Sequence, residues 1–271
     1  IGSTTSRLAS MNLLLHGLGS LTGESLIDQR DALIADPGAR WTVVLANPPF
    51  GRSSSTDISA GGDEGGEIFR QDFVVTTANK QLNFLQHIMT ILEINGRAGV
   101  VLPDNVLFEG GAGEVLRRRL LNAFDFHTLL RLPTGIFYKP GVKANVLFFD
   151  KKPAAEQPWT QTLWVYDLRT NKHFTLVRNP LTRGDLDDFV ACYSAADRTK
   201  RVESERFKRF SYDEVVAFDK VNLDITWLKD DAETDLASLP DPDTLIAEIV
   251  EELTAATREL AAAASLDPDE V

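Results

Sequence analysis

One cysteine, Cys192, in 271 residues leaves nothing with which to build an internal disulfide framework or a cysteine-rich zinc site. It is expected as a small buried hydrophobe. Histidine is nearly as scarce. His16, His87, His127 and His173 are scattered without metal-ligand pairing, so no metal is expected. No run approaches the ~18 consecutive apolar residues that a membrane span needs, and no basic-then-apolar leader opens the chain. The expectation is a soluble, cytoplasmic protein with no membrane partner. Internal repeats are absent too. What is present is an ordinary globular balance, 43% apolar and 25% charged, which argues against disordered and collagenous classes.

Positive charge is almost missing from the end of the chain. From Asp230 to Val271 thirteen acidic residues face Arg258 alone, so this tail carries the whole formal charge of −12 and residues 1–229 sum to zero. Within that neutral part, Arg198, Lys200, Arg201, Arg206, Lys208 and Arg209 cluster around two glutamates, and Arg117–Arg119 form a second cluster. Local basic patches of this kind leave a phosphate backbone open as a partner, although a solvated face is the plainer reading.

Apolar periodicity predicts a helix over 4–18, a second over 76–94 and a third over 113–122. Ser25–Gln29, Trp41–Ala46, Ala98–Leu102, Phe126–Leu132, Ala144–Asp150 and Leu163–Asp167 read as strands. Early alternation of strand and helix implies a mainly parallel sheet, and the Gly/Pro-containing connection 133–143 then implies an antiparallel hairpin at its end. From 168 to about 219 the chain reads as polar and irregular. Beyond Pro240, the spacing of Ile246, Ile249, Val250, Leu253 and Leu260 predicts one acidic helix with an apolar stripe, which either folds back or packs on a partner.

The tetrapeptide Asn47-Pro48-Pro49-Phe50 directly follows a buried strand. Ligands of open α/β sheets bind at such carboxyl edges. The Asn47 side-chain carbonyl and the Pro48 backbone carbonyl together offer two acceptors to an exocyclic amine bearing two hydrogens, and Phe50 offers a face on which a planar base can stack. Accepting from both hydrogens pushes the amine nitrogen toward a pyramidal, more nucleophilic state.

The surroundings extend the pattern. Thr5-Ser6-Arg7-Leu8-Ala9-Ser10-Met11-Asn12-Leu13 with His16-Gly17, Asp31-Ala32-Leu33, Val43 to Gly51, Gly99 to Pro103, Gly141 to Phe149 and Asp219 to Leu228 occur in that order. Together they resemble N6-adenine DNA methyltransferases, and more narrowly the methylation (M) subunit of type I restriction-modification systems. The resemblance implies a Rossmann-like α/β methyltransferase sheet, truncated at its N-terminal side and followed by a C-terminal helical tail. It implies a catalytic core over 1–167, an extension over 168–239 and a partner-docking helix over 240–271.

By the same resemblance the activity is methyl transfer from S-adenosyl-L-methionine to adenine N6 in DNA, with Asn47, Pro48, Pro49 and Phe50 catalytic. Asp31 would receive the adenine amine of the cofactor beside Ala32 and Asn47, a helix cap being the plainer reading of Asp31. Lys143 and Asn145 follow the hairpin loop and are read as meeting DNA, ordinary loop residues being the equal alternative; the resemblance implies as partners the specificity (S) and restriction (R) subunits. The family's glycine-rich cofactor loop and ribose-binding acid should lie upstream of Thr4. Gly17-Leu18-Gly19 follows a helix, and the glycines of 61–66 sit among Asp63, Glu64 and Glu67, so neither replaces that loop. Two other readings stay open: a stand-alone methyltransferase acting on another base or amide, and an assembly module without activity of its own.

Overall fold

The computed structural model describes residues 3–20, 25–50, 67–138 and 141–229. The chain divides into Ile1–Leu228 and Lys229–Val271, so the acidic helix expected beyond Pro240 lies outside the described residues. The first unit is built on a six-stranded mixed sheet with helices, the α/β arrangement anticipated from the sequence.

The strands are β1 (Trp41–Ala46), β2 (Leu92–Pro103), β3 (Phe124–Arg131), β4 (Ala144–Lys151), β5 (Thr162–Asp167) and β6 (Phe207–Ser211), in spatial order β1-β2-β4-β3-β5-β6. β1 runs parallel to β2, and β3 runs parallel to β5. β4 lies antiparallel between β2 and β3, which realises the expected hairpin. β6 adds a further antiparallel edge beside β5 that the sequence reading did not anticipate.

Alternate residues of the central strands feed two apolar clusters, as the two-residue period of a strand requires. Leu129, Leu147 and Val165 enter the first, with Leu82 and Leu85 of α2 (Lys80–Ile91) and Leu116 and Leu120 of α4 (Ala112–Ala123). Leu130, Tyr166 and Phe207 enter the second, where Phe189 of α5 (Asp187–Tyr193) covers them. Asn79 starts α2 by accepting from the N–H groups of Gln81 and Leu82. Short α3 (Asn105–Phe108) continues from the carboxyl end of β2, and α6 (Tyr212–Ala217) opens on a Ser211–Glu214 capping box. The first helix, α1 (Ser3–Leu15), stops before Gly17 at φ 75° and leaves Leu8, Met11 and Leu15 exposed.

Three sequence readings are corrected. Ser25–Gln29 forms no strand: the Ser25 hydroxyl closes a local turn on Ile27, and Leu26 stands in solvent. Arg117 is buried and not solvated with its neighbours. Its guanidinium donates to the carbonyls of Val106, Glu109, Lys220 and Val221, which ties α4 to the segment Asp219–Val221. The basic cluster after Arg198 is largely spent within the fold. Arg198 pairs with Asp125 and Asp150, Arg201 donates to Tyr193 and His127 carbonyls, and Arg206 donates to Asp167 and Thr170 carbonyls.

Candidate active site

Parallel strands β1 and β2 end side by side, and their carboxyl ends bring the sequence-singled tetrapeptide next to a second strand terminus. Asn47 and Pro49 are exposed, Pro48 is buried, and Phe50 is half-buried against the second apolar cluster. Proline at 48 and 49 withdraws two ladder donors, so the chain must leave the sheet here. The Asn47 side chain makes no hydrogen bond among the described residues, which leaves its amide available to a ligand.

Phe50 is backed by Phe137, the two rings meeting edge-on at 5.4 Å and 65°. Phe137 comes from the connection between β3 and β4, a residue the sequence reading passed over. Gly135 allows that connection to turn: it sits at φ 81°, and a Cβ there would lie 1.8 Å from the Phe174 carbonyl oxygen. Tyr138, next to Phe137, is almost wholly exposed.

Asp104 directly follows β2. Its carboxylate accepts both Nη atoms of Arg169, at 2.7 and 2.8 Å, and Nδ2 of Asn145 at 2.7 Å, while its N–H donates to the Lys143 carbonyl. Behind it, fully buried Asp167 accepts from Arg131, Thr170 and the N–H groups of residues 169 and 170. Burial alone would raise both carboxyls. The arginines and hydrogen bonds outweigh it and hold both below the usual carboxylate range, so neither is a proton donor near neutral pH.

Of the two residues expected to meet DNA, Lys143 is exposed at the mouth of the same edge. Asn145 is fully buried and its amide is committed to Asp104, so it fixes the start of β4 and offers nothing to a molecule outside. Asp31 is exposed. Its Oδ1 accepts from the Leu33 N–H at 2.9 Å, and the Ala32 carbonyl accepts from Arg70 at 3.1 Å. Oδ2 of Asp31 has no hydrogen bond among the described residues. No hydrogen bond or ion pair joins Asp31 to Asn47 there.

The two glycine clusters weighed from the sequence form no cofactor loop after a strand among the described residues. Gly17 and Gly19 follow a helix, and 61–66 lie outside those residues. Among the described residues no group of three or more His, Cys, Asp or Glu could hold a metal, and no helix is long and apolar enough to cross a membrane.

An α/β sheet whose strand ends present an exposed asparagine amide, unpaired among the described residues, and an aromatic pair defines a ligand-binding edge of the kind open sheets use. The N-6 DNA methylase family matches residues 1–234, and the chain belongs to that family. It is 40% identical to the methylase subunit of the type I restriction enzyme EcoKI of Escherichia coli K12 over 94% of this chain and 53% of that one. The StySJI methylase subunit of Salmonella typhimurium gives the same figures. The crystal structure of the EcoKI M protein superposes with a TM-score of 0.73 at 36% identity, covering 99% of this chain and 60% of that chain. The chain spans about half the length of the curated relatives it matches.

Proposed function

We propose that this chain is the target-base half of a methyltransferase that moves a methyl group from S-adenosyl-L-methionine to adenine N6 in DNA, as the modification subunit of a type I restriction-modification system. The observation that carries the reading is the exposed Asn47 amide, without a hydrogen bond among the described residues, beside a Phe50 ring braced by Phe137.

In this reading an adenine turned out of its duplex stacks on Phe50. Its N6 hydrogens are accepted by the Asn47 side-chain carbonyl and the Pro48 carbonyl. Those bonds orient the nitrogen lone pair outward and increase its nucleophilicity. Asp31 and Ala32 would hold the cofactor's adenine end, and the cofactor, when bound, would supply an electrophilic methyl on a sulfonium, with its sulfur as the leaving group, to the N6 that Asn47 and Pro48 orient. N6 then sheds a proton to solvent along the Asn47 and Pro48 acceptors, a neutral pair with no need of a titrating base.

The residues present fit only the adenine end of that cofactor, through the free Oδ2 of Asp31 and the backbone at Ala32. Among the described residues Trp41, Val43 and Leu45 stand exposed along β1, and the relatives are about twice as long as this chain. Lys143 is assigned to the DNA backbone, Asn145 to positioning, and the apolar stripe from Ile246 to Leu260 to the specificity subunit.

Replacing Asn47 with Ala in the methylation-competent enzyme should lower methyl transfer at least about 100-fold, the scale of a lost preorganised contact, without changing the thermal midpoint. Near-normal transfer would overturn the assignment. Removing residues 241–271 should leave the first unit folded but unable to co-purify with the specificity subunit. Unfolding on removal, or unchanged co-purification, would contradict that docking role.

A further inference from the structure

Besides the buried Leu33 side chain, the turn at Asp31–Leu33 is held to the rest of the molecule by one buried arginine that the methyl-transfer reading does not use. Arg70 is 6% exposed. Its Nε and Nη2 grip both oxygens of Asp72 at 3.0 and 2.6 Å, and its Nη1 reaches the Ala32 carbonyl at 3.1 Å and His87 Nδ1 at 3.1 Å. The guanidinium also lies 4.1 Å from the Phe73 ring centroid. Asp72 is held from its far side by the Thr90 hydroxyl at 2.6 Å. Thr90 and His87 both belong to α2, so Arg70 bridges a rigid, core-packed helix to an exposed turn. Such a planar fork, with its donors spent in fixed directions, transmits position more faithfully than a flexible ammonium could.

We propose that Arg70 is the positioning residue of the cofactor's adenine subsite: it holds the Ala32 carbonyl, and with it the Asp31 carboxylate, at a fixed place relative to α2, with His87 as its protonation-sensitive brace. The inference rests on the placement of the cofactor's adenine at Asp31 and Ala32. Arg70 can only donate, so His87 Nδ1 must be an acceptor and the imidazole must be neutral with its proton on Nε2. Protonating Nδ1 sets two donors against each other and removes one of the two contacts made by Nη1. The charged groups that act on His87 are Arg70, Asp72, Asp36 and Arg40. Burial and Arg70 push its titration below the ordinary imidazole range against the pull of Asp72 and Asp36, so the brace is intact at neutral pH and is lost only on acidification below that range.

Two readouts test this together. In the 271-residue chain, Arg70→Gln and the milder Arg70→Lys should accelerate amide hydrogen exchange across residues 30–36, while the exchange of β2 and β4 stays as in the parent. In the methylation-competent enzyme the same variants should raise KM for S-adenosyl-L-methionine about tenfold or more with kcat nearly unchanged, the scale of one lost charge-assisted hydrogen bond. The parent's KM should also climb as pH falls below the ordinary imidazole value of about 6.5, and His87→Gln, whose side-chain carbonyl accepts at any pH, should flatten that climb. Unchanged exchange in the Arg70 variants overturns the positioning role itself. Faster exchange with unchanged KM shows that Arg70 holds the turn but that the cofactor's adenine does not sit there, which overturns the subsite placement. A KM that climbs equally in His87→Gln as pH falls removes His87 from the account.

Discussion

Two asparagines stand at the same sheet edge with opposite fates. Asn145 is buried with its amide on Asp104, whereas Asn47 is exposed with its amide free. Nothing in the tetrapeptide or in Lys143-Ala144-Asn145 announces the difference. It is set by Arg169, which arrives from the far end of β5, 24 residues after Asn145, to neutralise Asp104 and close the space. Asn47 was legible because prolines on both its following positions mark where a strand stops. Phe137 was not, since its value lies in touching Phe50 across a turn that only Gly135 permits. Phe137→Leu keeps apolar bulk but loses the edge-on ring that braces Phe50, so target-base binding should weaken by about 0.5–1.5 kcal/mol, the scale of one aromatic pair. The fluorescence of 2-aminopurine placed at the target position reports this, and an unchanged signal would reduce Phe137 to packing.

Elements whose periodicity was strong were found with shifted ends. The helix expected over 76–94 is Lys80–Ile91, because Asn79 caps it, Thr77 bridges back to Ile68 and the residues from Leu92 on enter β2. The region after 168 held more than composition suggested. Two of its elements, β6 and α6, meet at Ser211, and the Ser211–Glu214 spacing was the available signal for α6. Arg117 is the other miss at this scale, a charged residue read as a surface group but used to saturate four carbonyls where Lys220 and Val221 adopt left-handed backbone. Its titration is pushed down to about 10, chiefly by burial, which leaves it charged at neutral pH. Arg117→Met keeps the stem's packing yet strands those carbonyls, and should cost at least about 3 kcal/mol by denaturant unfolding. A loss under about 1 kcal/mol would show that water replaces the guanidinium without penalty.

Across the whole molecule, two buried imidazoles give stability a defined acid limit. Burial, the leading cause in both, holds His87 and His127 below the ordinary value of 6.5. In the unfolded chain both take up protons as pH falls through about 6.5, whereas the folded chain resists until lower pH. Stability present above that value is therefore lost as pH falls, by up to about 1.4 kcal/mol per unit for each histidine. Asp104 and Asp167, also depressed, act only in the lower window beneath their ordinary 3.8. The thermal midpoint should thus decline from pH 7 toward pH 5, less so in His127→Gln, and a flat profile would contradict the burial argument.

The central claim is that the edge formed by Asn47, Pro48 and Phe50 directs a methyl group to the exocyclic amine of adenine. The most direct measurement incubates DNA with the methylation-competent enzyme and S-adenosyl-L-methionine carrying a deuterated methyl group, then identifies the labelled nucleoside by mass spectrometry after digestion. The account predicts label in N6-methyldeoxyadenosine alone, and its disappearance with Asn47→Ala. Label on cytosine or on protein, or N6 label that persists undiminished in Asn47→Ala, would contradict it.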